Sequence, residues 1–419
     1  TRFIALLLKI LLDGVIMNDI SRGSIQVQGF KDKEMDFQLI RQLGSSNYMG
    51  ASIGECLKIA NEINDGTPED WVNAFEKLAN WQKKDGLERF NKGHFISARE
   101  QLWKACNSFR AAEYYSPCSA EHHRNLGISS AECFAKAMAT TTFHFETHAL
   151  PYRNVEIPVY FVAPKNDGQK RKTLLIVSGF DGTLEEEFLT RGIAGLQRNF
   201  NVIHFAGPGQ MDVFRKYPHT FFEPDYEEVV RTVINFFENR KEIDFSSLAL
   251  VGLSFGGYFA TRAASYEPRI KALIANSPVI NLHAYMTSFV GMDPAEMPDE
   301  EDFTLEQLPF FPDSEFPPQL KAQTEQLMIR FGQSSFKKTF AYLKEFQVGE
   351  ALSNIQCPTL ALIGGSEGGE PRKQYDAFCK KLQSDAYEFS DFQGAGSHCQ
   401  VGNSSFANAV MYDWLESIF

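Results

Sequence analysis

The stretch Gly252-Leu253-Ser254-Phe255-Gly256-Gly257 constrains this chain more than any other. Ser247–Val251, just before it, is a short apolar run that reads as a buried strand. Tyr258–Ala264, just after it, reads as the start of a helix. A serine flanked by glycines at a strand-to-helix junction predicts a sharp turn, with the serine in a strained backbone conformation and its hydroxyl exposed at the tip. Side chains two residues either way would collide in such a turn, which is why glycines stand there. Ser254 is therefore a candidate nucleophile, and the turn itself demands a sheet with helices packed against it.

The rest of the chain supplies that sheet. Short apolar runs recur at Thr173–Ser178, Asn201–Phe205, Ser247–Val251, Ala272–Ala275, Thr359–Ile363 and Ala386–Phe389, with helical stretches between them. This alternation predicts an α/β fold, a mostly parallel doubly wound sheet with helices on both faces. Upstream, Thr142–His148 and Val155–Val162 alternate around a turn at Pro151–Asn154, which predicts an antiparallel N-terminal hairpin. The region before it is helical. Thr67-Pro68 is a helix start and apolar residues recur at three and four spacing over Trp71–Trp81. Further helices are expected over Leu87–Lys92, Ser97–Tyr115 and Ser119–Met138. Asn91–Arg99 resembles one turn of a tetratricopeptide-type hairpin, a single unit rather than an array.

Residues 281–351 break the alternation, first with the acidic, proline-containing run Asp293–Asp302, then with helical patterns at Leu320–Phe331 and Phe336–Phe346. An insertion at this point lies above the carboxyl ends of the strands, where ligands bind in open α/β sheets, and is expected to form a lid. The expected division is an N-terminal helical region over residues 1–140, a core over 141–280 and 352–419, and the insertion over 281–351.

A serine hydroxyl is a weak nucleophile and needs a base. His398 is the one histidine beyond His283, and it sits in the small-residue loop Gly394–Gln400 after the last expected strand. An acid to orient it is expected in Gly364-Gly365-Ser366-Glu367-Gly368-Gly369-Glu370-Pro371, where Glu367 and Glu370 compete. A developing oxyanion needs two backbone N–H groups. Phe255 would supply one, and Phe180 or Asp181, in the loop Ser178–Thr183, the other. Gly207-Pro208-Gly209-Gln210-Met211-Asp212 lacks the third glycine of a dinucleotide fingerprint and the Lys-Ser/Thr of a Walker loop, so it reads as a tight turn at the pocket rim with Asp212 facing inward.

Composition excludes other classes. With 419 residues and a formal net charge of -12, the chain offers no basic patch for nucleic acid and no attraction to anionic membranes. The 37 phenylalanines favour an apolar or aromatic small-molecule substrate. Seven scattered cysteines without a CxxC pair argue against a metal centre or disulfide framework and for a reducing, cytoplasmic setting, and no cofactor motif is present. Lys9 and Asp13 interrupt the apolar run that begins at Phe3, which reads as an amphipathic docking helix rather than a leader or membrane span.

The elbow Gly252–Tyr258, the Gly207–Gln210 turn, the ending Ser397-His398-Cys399-Gln400-Val401 and the helical N-terminal region resemble the FrsA and pseudooxynicotine-hydrolase branch of the α/β-hydrolases, which also includes acylaminoacyl-peptidase-like proteins. The resemblance covers roughly residue 60 onward. It implies the α/β-hydrolase fold, a Ser-Asp-His triad, a helical cap and often a homodimer. Many hydrolases of this kind place the acid four residues before a proline, the position Glu367 occupies; glutamate there departs from the usual aspartate. The function expected is a serine hydrolase that cleaves an ester, an amide or a ketone-adjacent carbon–carbon bond, including those of polyketide-like or aromatic β-diketone substrates. The alternative is a non-catalytic binding protein on a hydrolase scaffold.

Overall fold

The computed structural model describes residue 27 and residues 29–64, 66–290 and 318–419. The N-terminal run from Phe3 to Asp13 and the acidic run Asp293–Asp302 lie outside the described residues.

Helices α1 (Lys33–Gly44), α2 (Ile53–Ile63), α3 (Pro68–Asn91), α4 (Phe95–Tyr115) and α5 (Glu121–Met138) precede the sheet. Thr67 and Asp70 cap α3 reciprocally, with Pro68 in its first turn. The expected break before Leu87 is absent: α3 runs on through Gly86. The reason is packing, since a Cβ at Gly86 would lie 2.8 Å from Leu102 Cγ, so the glycine lets α4 approach closely. The α3–α4 turn follows at Gly93, with φ 79°.

Eight strands form one sheet: β1 (His144–Tyr152), β2 (Val155–Ala163), β3 (Arg171–Val177), β4 (Asn201–Phe205), β5 (Ile243–Leu253), β6 (Ala272–Asn276), β7 (Thr359–Gly364) and β8 (Asp385–Phe389). Their order is β1-β2-β4-β3-β5-β6-β7-β8. β1 and β2 run antiparallel to each other, β2 runs antiparallel to β4, and β3 to β8 are parallel. The hairpin turn is tighter than expected, Arg153-Asn154 alone. Pro151 and Tyr152 stay in β1, which sheet position permits because β1 is an edge strand and proline costs no central hydrogen bond there. β5 begins four residues earlier than its apolar run, across an irregularity in its pairing with β3.

The central strands are buried at nearly every residue because both faces are covered. In β3, Leu174 and Ile176 belong to the core shared with α1–α5, whereas Leu175 and Val177 point into the opposite core. Between strands lie α6 (Leu184–Glu187), a π-turn over Phe188–Gly192, α7 (Ile193–Gln197), α8 (Met211–Phe214), α9 (Glu227–Phe237) and α10 (Gly256–Tyr266). α9 buries Val229, Val230, Val233, Ile234 and Phe237, a stripe at helical spacing that packs on the second face. Between β6 and β7 the described chain forms α11 (Leu282–Val290), α12 (Pro318–Arg330) and α13 (Phe336–Leu343), and an isolated antiparallel bridge from Asn281 to Gln347 ties the ends of this excursion together. Helices α14 (Gly369–Leu382) and α15 (Ser404–Ile418) complete the chain. Among the described residues no helix is long and apolar enough to cross a membrane.

Candidate active site

The turn after β5 is as sharp as its glycines require. Ser254 has φ 60°, in the left-handed region, and its N–H donates to Asn276 O at 2.6 Å. A Cβ at Gly252 would lie 1.9 Å from Gly256 O, and one at Gly256 would lie 2.6 Å from Val177 O. Any other residue at either position would push α10 off the sheet.

The turn places Ser254 against a loop from the far end of the chain. Ser254 Oγ lies 2.8 Å from His398 Nε2, and His398 Nδ1 lies 2.6 Å from Glu367 Oε2. With Nδ1–H donated to a carboxylate, a neutral imidazole leaves Nε2 to accept from the serine hydroxyl. Glu367 Oε2 also accepts from Ser277 Oγ at 2.7 Å, and Oε1 accepts from Gly364 N at 2.7 Å. Burial pushes the Glu367 carboxyl up, but His398, Ser277 and the Gly364 N–H outweigh it and hold it below the ordinary glutamate value. Burial likewise pulls the His398 imidazole down, while Cys399 and Glu367 beside it prevail and hold it above the ordinary histidine value.

Glu370 stands elsewhere. It is in the first turn of α14, where it accepts from Gln374 Nε2 at 3.0 Å and pairs with Lys373 at 3.5 Å. Helix formation from Gly369 onward carries it away from the imidazole, so it does not take the acid position. Asp212 does not face the pocket either. It is buried, pairs with Arg215 at 3.1 Å and accepts from Leu184 N, inside a cluster in which Arg215 also binds Glu113 of α4 and Glu185. Burial, with Glu185 second, raises its carboxyl well above the usual range.

The loop after β3 passes directly beside Ser254: a Cβ at Gly179 would lie 2.7 Å from Ser254 Cβ and 2.9 Å from Phe255 N. Asp181 lines the cleft and pairs with Arg41 at 3.3 Å. The Phe180 ring instead stacks on Phe222 and Phe331, and its carbonyl accepts from Arg330 Nη2 at 2.8 Å. Arg330, fully buried at the end of α12, also donates to Gly209 O at 2.5 Å, so the insertion grips both loops at the rim.

The space in and over the cleft above Ser254, open solvent included, is about 600 Å³. The wall of the cleft is mixed, with apolar surface from Phe37, Leu253, Cys399 and Val401 beside ionic side chains. Arg41, Asp181, Glu186, Glu187, Thr190 and Arg191 line it, and among the described residues Phe37 is its one aromatic ring. Most of the other phenylalanine rings pack the cores, as in the Phe255–Phe259–Tyr226 stack on the second face. Sequence reasoning did not reach Ser277, Arg41, Glu186, Glu187, Arg191 or Arg330. The run Glu185-Glu186-Glu187, six residues past Gly179, was a readable signal of acid near the site; Arg41, 145 positions from its partner Glu186, left none.

No protein-family model matches the chain. It is 30% identical to hydrolyase poxO of Penicillium oxalicum over 62% of this chain and 64% of that protein. The match thus spans under two thirds of that relative's length. It is 27% identical to hydrolase LUC6 of a Fusarium species over 94% of this chain and 98% of that one. Among solved structures, 2,6-dihydroxy-pseudo-oxynicotine hydrolase superposes with a TM-score of 0.70 at 21% identity, covering 90% of this chain and 95% of that one. The chain has the α/β-hydrolase fold. In α/β-hydrolases the nucleophile follows a central parallel strand, and here β5 is the strand between β3 and β6 that delivers Ser254.

Proposed function

We propose that the chain is a serine hydrolase of a small molecule, working through Ser254, His398 and Glu367. One observation carries the reading: a serine hydroxyl at a left-handed turn, 2.8 Å from an imidazole whose other nitrogen lies 2.6 Å from a buried carboxylate. Ser254 Oγ attacks a carbonyl carbon and His398 Nε2 takes its proton. Glu367 holds the ring in the required tautomer and stabilises the imidazolium. The amides of Phe255 and of Phe180, with Asp181 as the alternative, would receive the oxyanion. The imidazolium returns its proton to the leaving group, and water attacks the acyl-serine to regenerate the hydroxyl. The scissile bond is an ester, an amide or a carbon–carbon bond beside a ketone.

Support comes from the relatives, whose names describe hydrolases, and from the order Ser254, Glu367, His398 along the chain. Phe37 and Arg41 of α1 line the cleft, so the helical region acts as a cap, and α12 holds the rim as part of a lid. The cleft suits a small substrate with an apolar part against Phe37, Leu253 and Val401 and a polar group toward Arg41, Asp181 and Glu187. A fluorophosphonate probe tests the reading: the folded protein should label at Ser254, and Ser254→Ala should abolish labelling. Failure of the folded parent to label would refute it.

A further inference from the structure

The cleft holds a carboxyl that the scheme above leaves unused. Glu187 ends α6 and lines the cleft together with Ser254. Its Oε1 rests against the backbone of Gly182, where a Cβ would lie 3.0 Å away. Among the described residues its carboxyl makes no hydrogen bond and no ion pair. Its neighbours are committed to one another. Arg41 binds Glu186 through Nε at 2.6 Å and Nη2 at 2.5 Å, pairs with Asp181 at 3.3 Å, and Arg110 stands 3.7 Å from Glu186. These two cations and two anions compensate one another. Arg191 lines the wall, but its guanidinium donates to Cys399 O at 2.8 Å and, more weakly, to Thr190 O, Ser404 O and Asn408 Oδ1. The third glutamate of the run is left over, facing the space where a substrate would lie.

We propose that Glu187, as a neutral carboxylic acid, donates a hydrogen bond to a second oxygen of the substrate, and so selects acyl groups that carry a carbonyl or hydroxyl oxygen close to the scissile carbonyl. The proposal rests on the serine-hydrolase reading and adds a specificity-determining residue to it. An ionised carboxylate here would face Glu186 and Asp181 across a low-dielectric cleft with no cation of its own. Burial first, and the Glu186 charge second, raise its pKa to about 8, against the smaller pull of Arg191 and Arg41. A carboxyl that keeps its proton at neutral pH can offer an O–H that an acceptor oxygen satisfies, and a substrate that covers the cleft but lacks that oxygen cuts the O–H off from water and leaves it unpaired.

The test compares p-nitrophenyl butanoate with p-nitrophenyl 3-oxobutanoate, which differ by one carbonyl. The parent should favour the 3-oxo ester, and kcat/KM for it should fall as pH rises through about 8. Glu187→Ala should lose about 10- to 100-fold on the 3-oxo ester and under about 3-fold on the plain one. Glu187→Gln, which still donates through its amide, should keep the preference and lose the alkaline decline. The other charged groups around this carboxyl are Arg41, Asp181, Glu186 and Arg191, and His398 and Cys399 also line the cleft. Arg41 stays charged beside Glu186 and Asp181, Glu186 is held ionised by Arg110 and Arg41, and loss of a proton from His398 raises activity rather than lowering it. Cys399→Ser therefore serves as the control. Equal losses on both esters, a decline that persists in Glu187→Gln, or one that disappears in Cys399→Ser instead would overturn the proposal while labelling at Ser254 persists. Absence of that labelling would overturn the serine-hydrolase reading itself, and this proposal with it.

Discussion

Replacing Glu367 with glutamine changes almost no volume, and its consequence follows from which atoms surround the carboxylate. Both oxygens face donors: Oε1 meets Gly364 N–H at 2.7 Å, and Oε2 meets Ser277 O–H at 2.7 Å and His398 Nδ1 at 2.6 Å. An amide offers one acceptor and one donor. If its oxygen stays with Gly364, its NH2 meets Nδ1, which must then accept; the ring proton moves to Nε2 and points at Ser254 Oγ, so the base is blocked. If the amide flips, its NH2 faces the Gly364 N–H and one buried donor goes unpaired, at a cost of about 1–3 kcal/mol. The first orientation is the cheaper one, because Ser277 can rotate its hydroxyl to accept. The expected result is a folded protein whose kcat falls about 10³- to 10⁴-fold, or about 4–5.5 kcal/mol of lost transition-state stabilisation. The acidic limb of kcat/KM reports His398. It should lie above the ordinary value near 6.5 in the parent, because the folded pKa is raised, and move down in Glu367→Gln once the carboxylate is gone. p-Nitrophenyl ester turnover from pH 5 to 10 measures both, with Glu370→Gln alongside. A Glu367→Gln enzyme within about threefold of the parent, or a Glu370→Gln enzyme that loses turnover instead, would refute the reasoning.

Three further outcomes are expected. Gly179→Ala inserts a methyl 2.7 Å from Ser254 Cβ and 2.9 Å from Phe255 N, so fluorophosphonate labelling should slow at least about tenfold with the far-ultraviolet circular dichroism unchanged; unchanged labelling would show that the loop can step aside. Arg215→Met strands Glu113, which is fully buried, and should destabilise the fold by roughly 3–5 kcal/mol in urea, a loss that a midpoint equal to the parent's would contradict. Glu187 binds its proton more tightly in the folded chain than in the unfolded one, where the pKa is about 4.3, so stability falls as pH rises above that value and levels off beyond about 8. The urea midpoint of the parent should drop between pH 5 and pH 9, and the drop should shrink in Glu187→Gln; identical slopes would remove the basis for a neutral acid at this position.

The legible parts of this molecule are those fixed by short-range rules. The elbow, the alternation of strands and helices, and the loop containing His398 each follow from a few adjacent residues. So does the choice between two glutamates three positions apart, which turns on where α14 begins: Gly368, with φ 100°, ends the loop, so Glu367 remains in it and Glu370 joins the helix. Local rules also misled at two places, for the same physical reason. Gly86 looked like a helix end and Pro151 like a turn, yet one admits the neighbouring helix and the other sits on an edge strand, circumstances set by tertiary neighbours.

The character of the cleft was hidden for a stronger version of that reason. Its reactive line comes from three loops at the carboxyl ends of β5, β7 and β8, all within the sheet's own logic. Its wall comes from elsewhere: Arg41 reaches across 145 positions to Glu186, and Arg191 spans 208 positions to hold the carbonyl of the residue after His398. Aromatic abundance therefore said little about the substrate, because rings are what two faces of a sheet consume in packing. Three adjacent glutamates said more. Their helix turns each one toward a different partner: Glu185 to Arg215 and the Tyr160 hydroxyl, Glu186 to Arg41, and Glu187 to open space. A chain that needed only solubility from these charges would not bury the first two and turn the third into the cleft beside Ser254, and a chain that needed only structure would have given the third a cation.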